Sequence, residues 1–368
     1  MAKKCYVGVG DVVREVKKGY LGVENIARKI KKAYIGVGGV ARPCWSEGAG
    51  TLAYYGTTTS LSAARMNLAA ATIEGYALFG GGYNSAVVDA YNTSLTRSVP
   101  TPLSLAREFL AATSVGNYAL FGGGNNGSTY YNRVEAYDTS LTRTTVSIPL
   151  HAMCRYLGAT SIGNYALFGG GNNRSTAYNG VTAYDTSLTG TLATPLTTAR
   201  QSLAATSTGG CALFGGGLSG SNYSDMVDAY DASLTHSTLT VLSVARSDLT
   251  ATTVGNYALF GGGLMANGNT AITVDVYDTS LTHTDTLSLS QARRYLGATT
   301  VNGFAIFAAG LPVTNIAEAY DESLTHTTPQ GLSLARYSLA ATTISNYALF
   351  GGGTSGGTKS TVDVYTVV

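Results

Sequence analysis

Charge is scarce in this chain. Asp, Glu, Lys and Arg make up 12% of its 368 residues, against about 25% in an average globular protein. With 45% of residues hydrophobic, the composition excludes a disordered chain, which needs low hydrophobicity and high charge. Long apolar runs are missing too, which excludes a transmembrane helix of about 18 residues or more. The amino terminus, "MAKKCYVGVGDVV", is basic but lacks the continuous apolar stretch of a secretory signal. Four cysteines (Cys5, Cys44, Cys154 and Cys211) lie too far apart for a zinc or redox motif. They read as packed thiols made in a reducing compartment, with a Cys5–Cys44 bridge as an open alternative. No segment keeps a helical period, so a helical fold is excluded as well.

What is present is glycine, 46 residues of it, together with serine and threonine as the main source of polarity. The charge is also unevenly placed. Residues 1–47 hold ten Lys/Arg against four Asp/Glu, a net of +6; residues 48–368 hold thirteen against seventeen, a net of −4. Lys359 is the only lysine of the second stretch. This shift predicts two domains, 1–47 and 48–368.

The glycines belong to a repeat. The position before "ALFGGG" falls at Tyr76, Tyr118, Tyr165, Cys211, Tyr257, Phe304 and Tyr347, giving seven units spaced 42 to 47 residues apart. Each unit reads as four short strands. In the second unit "FLAATSV" is the first, Gly116-Asn117 a two-residue hairpin turn, and "YALFG" a second strand buried on both faces. "RVEAYD" and "TTVSIP" follow as third and fourth. Units of this length with four antiparallel strands predict an all-β, seven-bladed propeller. The final unit lacks a fourth strand, and the stretch "GTLAYYGTTTSLSAAR" before the first unit is an orphan one. Joining the two would close the ring and leave no open sheet edge.

The glycine triplet is not a phosphate loop, because no Lys-Ser/Thr pair and no helix follow it. It reads as a place where the backbone leaves the second strand under crowding from the next blade. The sixth unit, "FAIFAAG", departs from the triplet without disturbing the rest. Residues 1–47 repeat with a period of 14: "CYVGVGDVVREVKK", "GYLGVENIARKIKK", "AYIGVGGVARPCWS". Turns at Gly10-Asp11, Glu24-Asn25 and Gly38-Gly39 predict a meander of strands, with one strand running from Val12 to Gly22. A sheet this small calls for a partner or for copies of itself. "GVGGVA" at 36–41 fits a dinucleotide fingerprint only formally, since no βαβ unit surrounds it.

The order "YD…P…R…A…G-N-YALFGG" over residues 50–368 resembles the kelch repeat. Its di-glycine is matched at Gly122-Gly123 and its later tyrosine at Tyr91, Tyr137, Tyr184, Tyr230, Tyr277, Tyr320 and Tyr365. The family's tryptophan is missing, and Leu95, Leu141, Leu188, Leu234, Leu281 and Leu324 stand in for it. The resemblance implies a propeller that works as a binding module, as most kelch propellers do, a few being enzymes. The 14-residue repeats, in turn, are similar to Tyr-x-Gly-Val/Ala-Arg/Lys-Lys repeats of prophage-encoded structural proteins of Gram-positive gut bacteria. That similarity implies a virion protein, on tail or capsid, anchored to other virion proteins through residues 1–47.

Three sets of residues are candidates for chemistry. Arg65, Arg107, Arg200, Arg246, Arg293 and Arg336, with Cys154 in the third unit, precede each first strand. They read as a structural ring tying carbonyls or acids between blades, with anion binding at a propeller mouth as the sharper alternative. Asp138, Asp185, Asp231, Asp278 and Asp321, with Asn92, read as turn residues for the following "TSL". One Asp per blade supplies no calcium site. His236, His283 and His326 share one repeat position on successive blades, too far apart for zinc. His151 stands alone. No catalytic triad or carboxylate pair stands out, so the chain reads as non-enzymatic and cofactor-free; an enzyme acting on sugars is disfavoured.

The loops between second and third strands vary most: "YNSAV", "NNGSTYYNR", "NNRSTAYNG", "LSGSNYSDM", "LMANGNTAIT", "LPVTNI", "TSGGTKS". Tyr, Asn, Ser and Gly give rigid contact area with adaptable hydrogen bonding, as in antibody paratopes. Tyr83, Tyr130, Tyr131, Tyr178, Tyr223, Asn125 and Asn172 are the expected contacts with a host-surface glycan or protein. The whole reads as a virion protein, an expected homo-oligomer without nucleic-acid or membrane partners, or alternatively as a cellular interaction scaffold.

Overall fold

The structure is a computed structural model that describes residues 50–368, and before them the backbone of six strands between Tyr6 and Ser46. The chain divides into two compact units, one of residues 1–51 with Val368 and one of Leu52–Val367.

In the first unit the six strands pair as three antiparallel hairpins, closing at Val9↔Val12, Val23↔Ile26 and Val37↔Val40. The turn pairs expected at Gly10-Asp11, Glu24-Asn25 and Gly38-Gly39 lie outside the described residues. So do the Cys5–Cys44 pairing and the middle of the strand expected from Val12 to Gly22, whose described parts are Val12–Glu15 and Gly19–Val23.

The second unit is a seven-bladed β-propeller. Each blade is one four-stranded antiparallel sheet whose strands run outward in chain order. The first blade holds Ala69–Ile73, Tyr76–Gly80, Val88–Asn92 and Arg97–Ser98. The first strands of successive blades touch one another around a central axis, and that of the seventh blade (Ala340–Ile344) meets that of the first. The seventh sheet takes its outer strand from the other end of the chain: Leu52–Thr58 pairs antiparallel with Val362–Val367. The orphan strand thus closes the ring, and no sheet is left one strand short.

The first strand alternates in burial, as the two-residue period of a strand requires. Ala111, Thr113 and Val115 lie on the buried face and Ala112 and Ser114 on the half-buried one, and hydroxyls of the strand bond across blades. Thr253 Oγ1 donates to the Ser207 carbonyl (2.6 Å) and Thr343 Oγ1 to that of Thr300 (2.7 Å). The second strand is buried on both faces, as its unbroken apolar run requires.

Between blades the packing unit is a phenylalanine on a glycine. A Cβ placed on Gly80 would lie 2.6 Å from Phe121 Cε1 of the next blade, and one on Gly351 would lie 2.8 Å from Phe79. Each phenylalanine also meets the tyrosine of its own third strand edge-on; Phe121 and Tyr137 are 5.9 Å apart at 88°. Aromatic pairs of this geometry add about 0.5–1.5 kcal/mol to their burial. The tyrosine hydroxyl, itself buried, donates to a carbonyl of the segment entering the blade, as Tyr137 does to Thr101 (2.8 Å). The second glycine of the triplet has a left-handed backbone (Gly81, φ +68°) beside the Arg107 carbonyl. In the sixth blade Ala309 takes that conformation with φ 63°, so the bend persists where the glycine does not.

Candidate functional site

The arginines are structural. All six are fully buried, and each forms an ion pair with an acid of its own blade's third strand. The pairs are Arg65–Asp89, Arg107–Glu135, Arg200–Asp228, Arg246–Asp275, Arg293–Glu318 and Arg336–Asp363, at 2.5 to 2.9 Å. The same guanidinium donates to the carbonyl of the second-strand phenylalanine, as Arg200 does to Phe214 (3.0 Å). The acid's second oxygen accepts the amide N–H of the residue three positions before the arginine, Ser104 for Glu135 and Thr197 for Asp228. Burial pulls Arg107 down to about 10 against the pull of Glu135. None of the six side chains is open to solvent.

A third group completes each cluster from the fourth strand. Arg143 bonds Glu135 (2.9 Å), His236 bonds Asp228 (2.6 Å) and His283 bonds Asp275 (2.8 Å), while His326 stands 3.7 Å from Glu318. In the seventh blade Tyr54 of the closing strand donates to Asp363 (2.6 Å). The three histidines therefore serve three separate carboxylates. Among the described residues no group of three or more His, Cys, Asp or Glu is placed to hold a metal.

The third blade has lost the whole cluster at once: Cys154, Thr182 and Gly190 occupy the three positions. Removing one partner of a buried ion pair costs roughly 3–5 kcal/mol, whereas replacing all of it by neutral groups is tolerated. His151, at the amide position, donates its N–H to Thr182 Oγ1 (3.0 Å). Its ring nitrogens have no hydrogen-bond partner, and burial lowers the ring to about 4. Burial likewise pushes the Cys154 thiol up to about 12, which makes it inert.

The repeated Asp after the third-strand tyrosine caps a turn. Asp138 Oδ1 accepts the N–H groups of Ser140 and Thr142 at 2.9 Å each; Asp185, Asp231, Asp278 and Asp321 repeat this, and Asn92 does so in the first blade. The leucine inside that turn holds a left-handed backbone in six blades, from Leu95 (φ 60°) to Leu324 (φ 60°). Its side chain packs into the core beside it, as Leu141 and Leu188 do, which explains why a leucine rather than glycine sits there.

In an antiparallel sheet every second-to-third-strand loop lies at the end where the chain enters the first strand. All seven variable loops therefore share one face, and backbone bonds tie them to the entry segments: Tyr83 N–H to the Met66 carbonyl, Asn125 N–H to that of Glu108. Tyr83 is exposed on this face. Tyr130, Tyr131, Tyr178 and Tyr223 are half-buried. Asn125 and Asn172 are buried, at 0% and 7% exposure; they extend the sheet against Glu108 and Arg155 rather than project outward. Tyr178 leans on His151, ring centroids 6.0 Å apart, and Asn173 donates to its hydroxyl.

At the centre of this face is a feature that repeat-by-repeat reading passes over. The residue two after each arginine position is Asn67, Phe109, Tyr156, Ser202, Asp248, Tyr295 and Ser338. All seven have left-handed backbones, φ 52° to 57°. Each donates its N–H to the carbonyl of the one in the preceding blade, at 2.9 to 3.2 Å, and Asn67 donates to Ser338. The result is a closed circle of seven backbone hydrogen bonds around the channel mouth. These residues and the leucine after each line a cavity of about 310 Å³.

Two aromatic clusters flank the mouth. Phe109 and Tyr156 lie 4.3 Å apart, and the Arg155 guanidinium stacks over Tyr156 (4.8 Å), Phe109 and Tyr130 (5.5 Å each). On the other side Arg294 covers Tyr295 at 4.9 Å and stands 3.5 Å from Asp248. Burial raises the Asp248 carboxyl above its usual range despite Ser202 and Arg294. Of the expected contact residues, only Tyr130 joins this constellation; the mouth residues are new. Their signal was their disagreement: seven different units, one position, five residue types, between an arginine and a leucine that barely vary. No protein-family model and no curated protein matches the chain.

Proposed function

We propose that this protein is a non-enzymatic recognition module, a kelch-like propeller carried on a phage particle, with its loop face turned to the host surface. The observation that carries the reading is geometric. Seven loops of unlike sequence, rich in Tyr, Asn and Ser, crowd one face around a lined cavity, while the opposite side repeats one turn almost unchanged in six blades. Paratope-like chemistry concentrated on one face of a rigid ring suits recognition. The loops and mouth positions of that face are where the blades differ most in sequence. The basic, 14-residue-repeat segment 1–47 supports anchoring to other virion proteins, by its charge and by its similarity to prophage structural repeats.

Two experiments test this. Induced particles from the source bacterium, separated on a density gradient, should carry the chain by mass spectrometry. Its presence in the soluble cell fraction alone would instead mark a cellular scaffold. Tyr130→Ala with Tyr131→Ala should weaken binding to host cells at least tenfold without unfolding the ring; unchanged binding would remove that loop from the contact.

A further inference from the structure

We propose that the channel mouth is a binding pocket for a neutral pyranose sugar, the end residue of a glycan, held by the seven-residue circle and the aromatic rings beside it. This rests on the reading of the loop face as the recognition face and names a site within it.

The first argument is conformational. A left-handed backbone is disfavoured for a residue with a Cβ, and glycine adopts it freely. This chain uses glycine at such positions in every blade, as at Gly81 and Gly82. At the seven mouth positions it never does. The turn leucines make the same sacrifice, but their side chains fill a core. The mouth side chains are half-buried around a cavity instead. Strain retained for side chains that line a cavity is the mark of a functional site.

The second argument is chemical. Asp248, Asn67, Ser202 and Ser338 offer one carboxylate, one amide and two hydroxyls, a set suited to a ligand with many hydroxyls. Phe109, Tyr156 and Tyr295 offer flat apolar faces for the C–H side of a sugar ring. Charge is balanced: Arg294 stands by Asp248 and Glu108 accepts from Asn67 (2.8 Å), while Arg155 is spread over three rings. Neither an anion nor a cation would find a net counter-charge there. A volume of about 310 Å³ is at the small end of ligand pockets, the size of a monosaccharide unit rather than a peptide.

The test uses the full chain and a panel of methyl glycosides: glucose, galactose, mannose, rhamnose, N-acetylglucosamine and N-acetylgalactosamine. Saturation-transfer NMR and calorimetry should find at least one that binds. Asp248→Gly and Tyr295→Gly should each weaken it tenfold or more, while Leu192→Ala, exposed on the outer strand of the third blade, leaves it unchanged. Glycine suits the backbone at these sites, so folding survives, and Ser202→Gly with Ser338→Gly removes only two hydroxyls if the larger changes disturb packing. Loss of sugar binding with an unchanged or raised melting temperature is a result that a structural role does not produce. Equal binding by all mouth variants would overturn the pocket. So would no binding of any panel sugar; if cells are then still bound through Tyr130 and Tyr131, the recognition face stands and only the sugar pocket falls. If cell binding is absent too, both fall.

Discussion

Arg200 donates to Asp228 at 2.6 Å with both side chains fully buried, and the blade next to it performs the same architectural task with Cys154 and Thr182. The comparison sets up a substitution series. Arg200→Ala alone strands a buried carboxylate and should destabilise the propeller by roughly 3–5 kcal/mol. Copying the third blade, with Arg200→Cys, Asp228→Thr and His236→Gly together, should recover most of that loss. Urea denaturation of the single and combined variants measures it, and additive losses would show that the clusters are independent of charge pairing.

Gly80 faces the Phe121 ring at a distance no Cβ tolerates. Gly80→Ala should therefore push two blades apart and cost about 1–3 kcal/mol. Thermal unfolding checks this; a melting temperature equal to the parent would mean the ring yields easily.

His151 gives the pH dependence a sign. Its ring is held near 4 when folded, below the ordinary 6.5 of an unfolded chain. The folded state thus binds fewer protons between those values. The stabilisation is complete above about pH 6.5 and is lost as pH falls toward 4, amounting to about 2–3 kcal/mol. His151→Ser, the residue found at Ser62 and Ser104 in other blades, should flatten urea midpoints across that window.

Closure depends on Leu52–Thr58. A chain starting at residue 50 should fold as a monomeric propeller, with a melting temperature within a few degrees of the parent's. A chain starting at residue 59 loses the outer strand of the seventh sheet and leaves Asp363 without Tyr54. It should elute as aggregates on size exclusion, since an unpaired edge invites association.

Repetition made the fold readable. The spacing of the "ALFGGG" copies gave seven blades, and the orphan segment around Tyr54 and Tyr55 gave the closure. The partners of the arginines were harder to see. Asp89, Glu135 and Asp228 lie two residues before the repeat tyrosine inside the third strands, and nothing local marks a carboxylate there as paired. One clue was available: the acid is absent only where the arginine is, at Thr182 and Cys154. The mouth residues escaped for the opposite reason. Searching for repeats rewards sameness, while a binding site on a symmetric ring is built where Asn67, Phe109 and Asp248 differ. Their backbone conformation, which unites them, has no signature in residue types such as Phe and Tyr.

The strand that locks the ring is also the strand that joins it to the amino-terminal segment. Any pull exerted on the propeller through residues 1–51 enters at Leu52, directly on the ladder that runs from Leu52↔Val367 to Thr58↔Val362. The fastener and the tether are one piece of chain. The load the propeller can carry through that tether is therefore bounded by the shear strength of a single seven-residue seam, however firmly the other six blades are made.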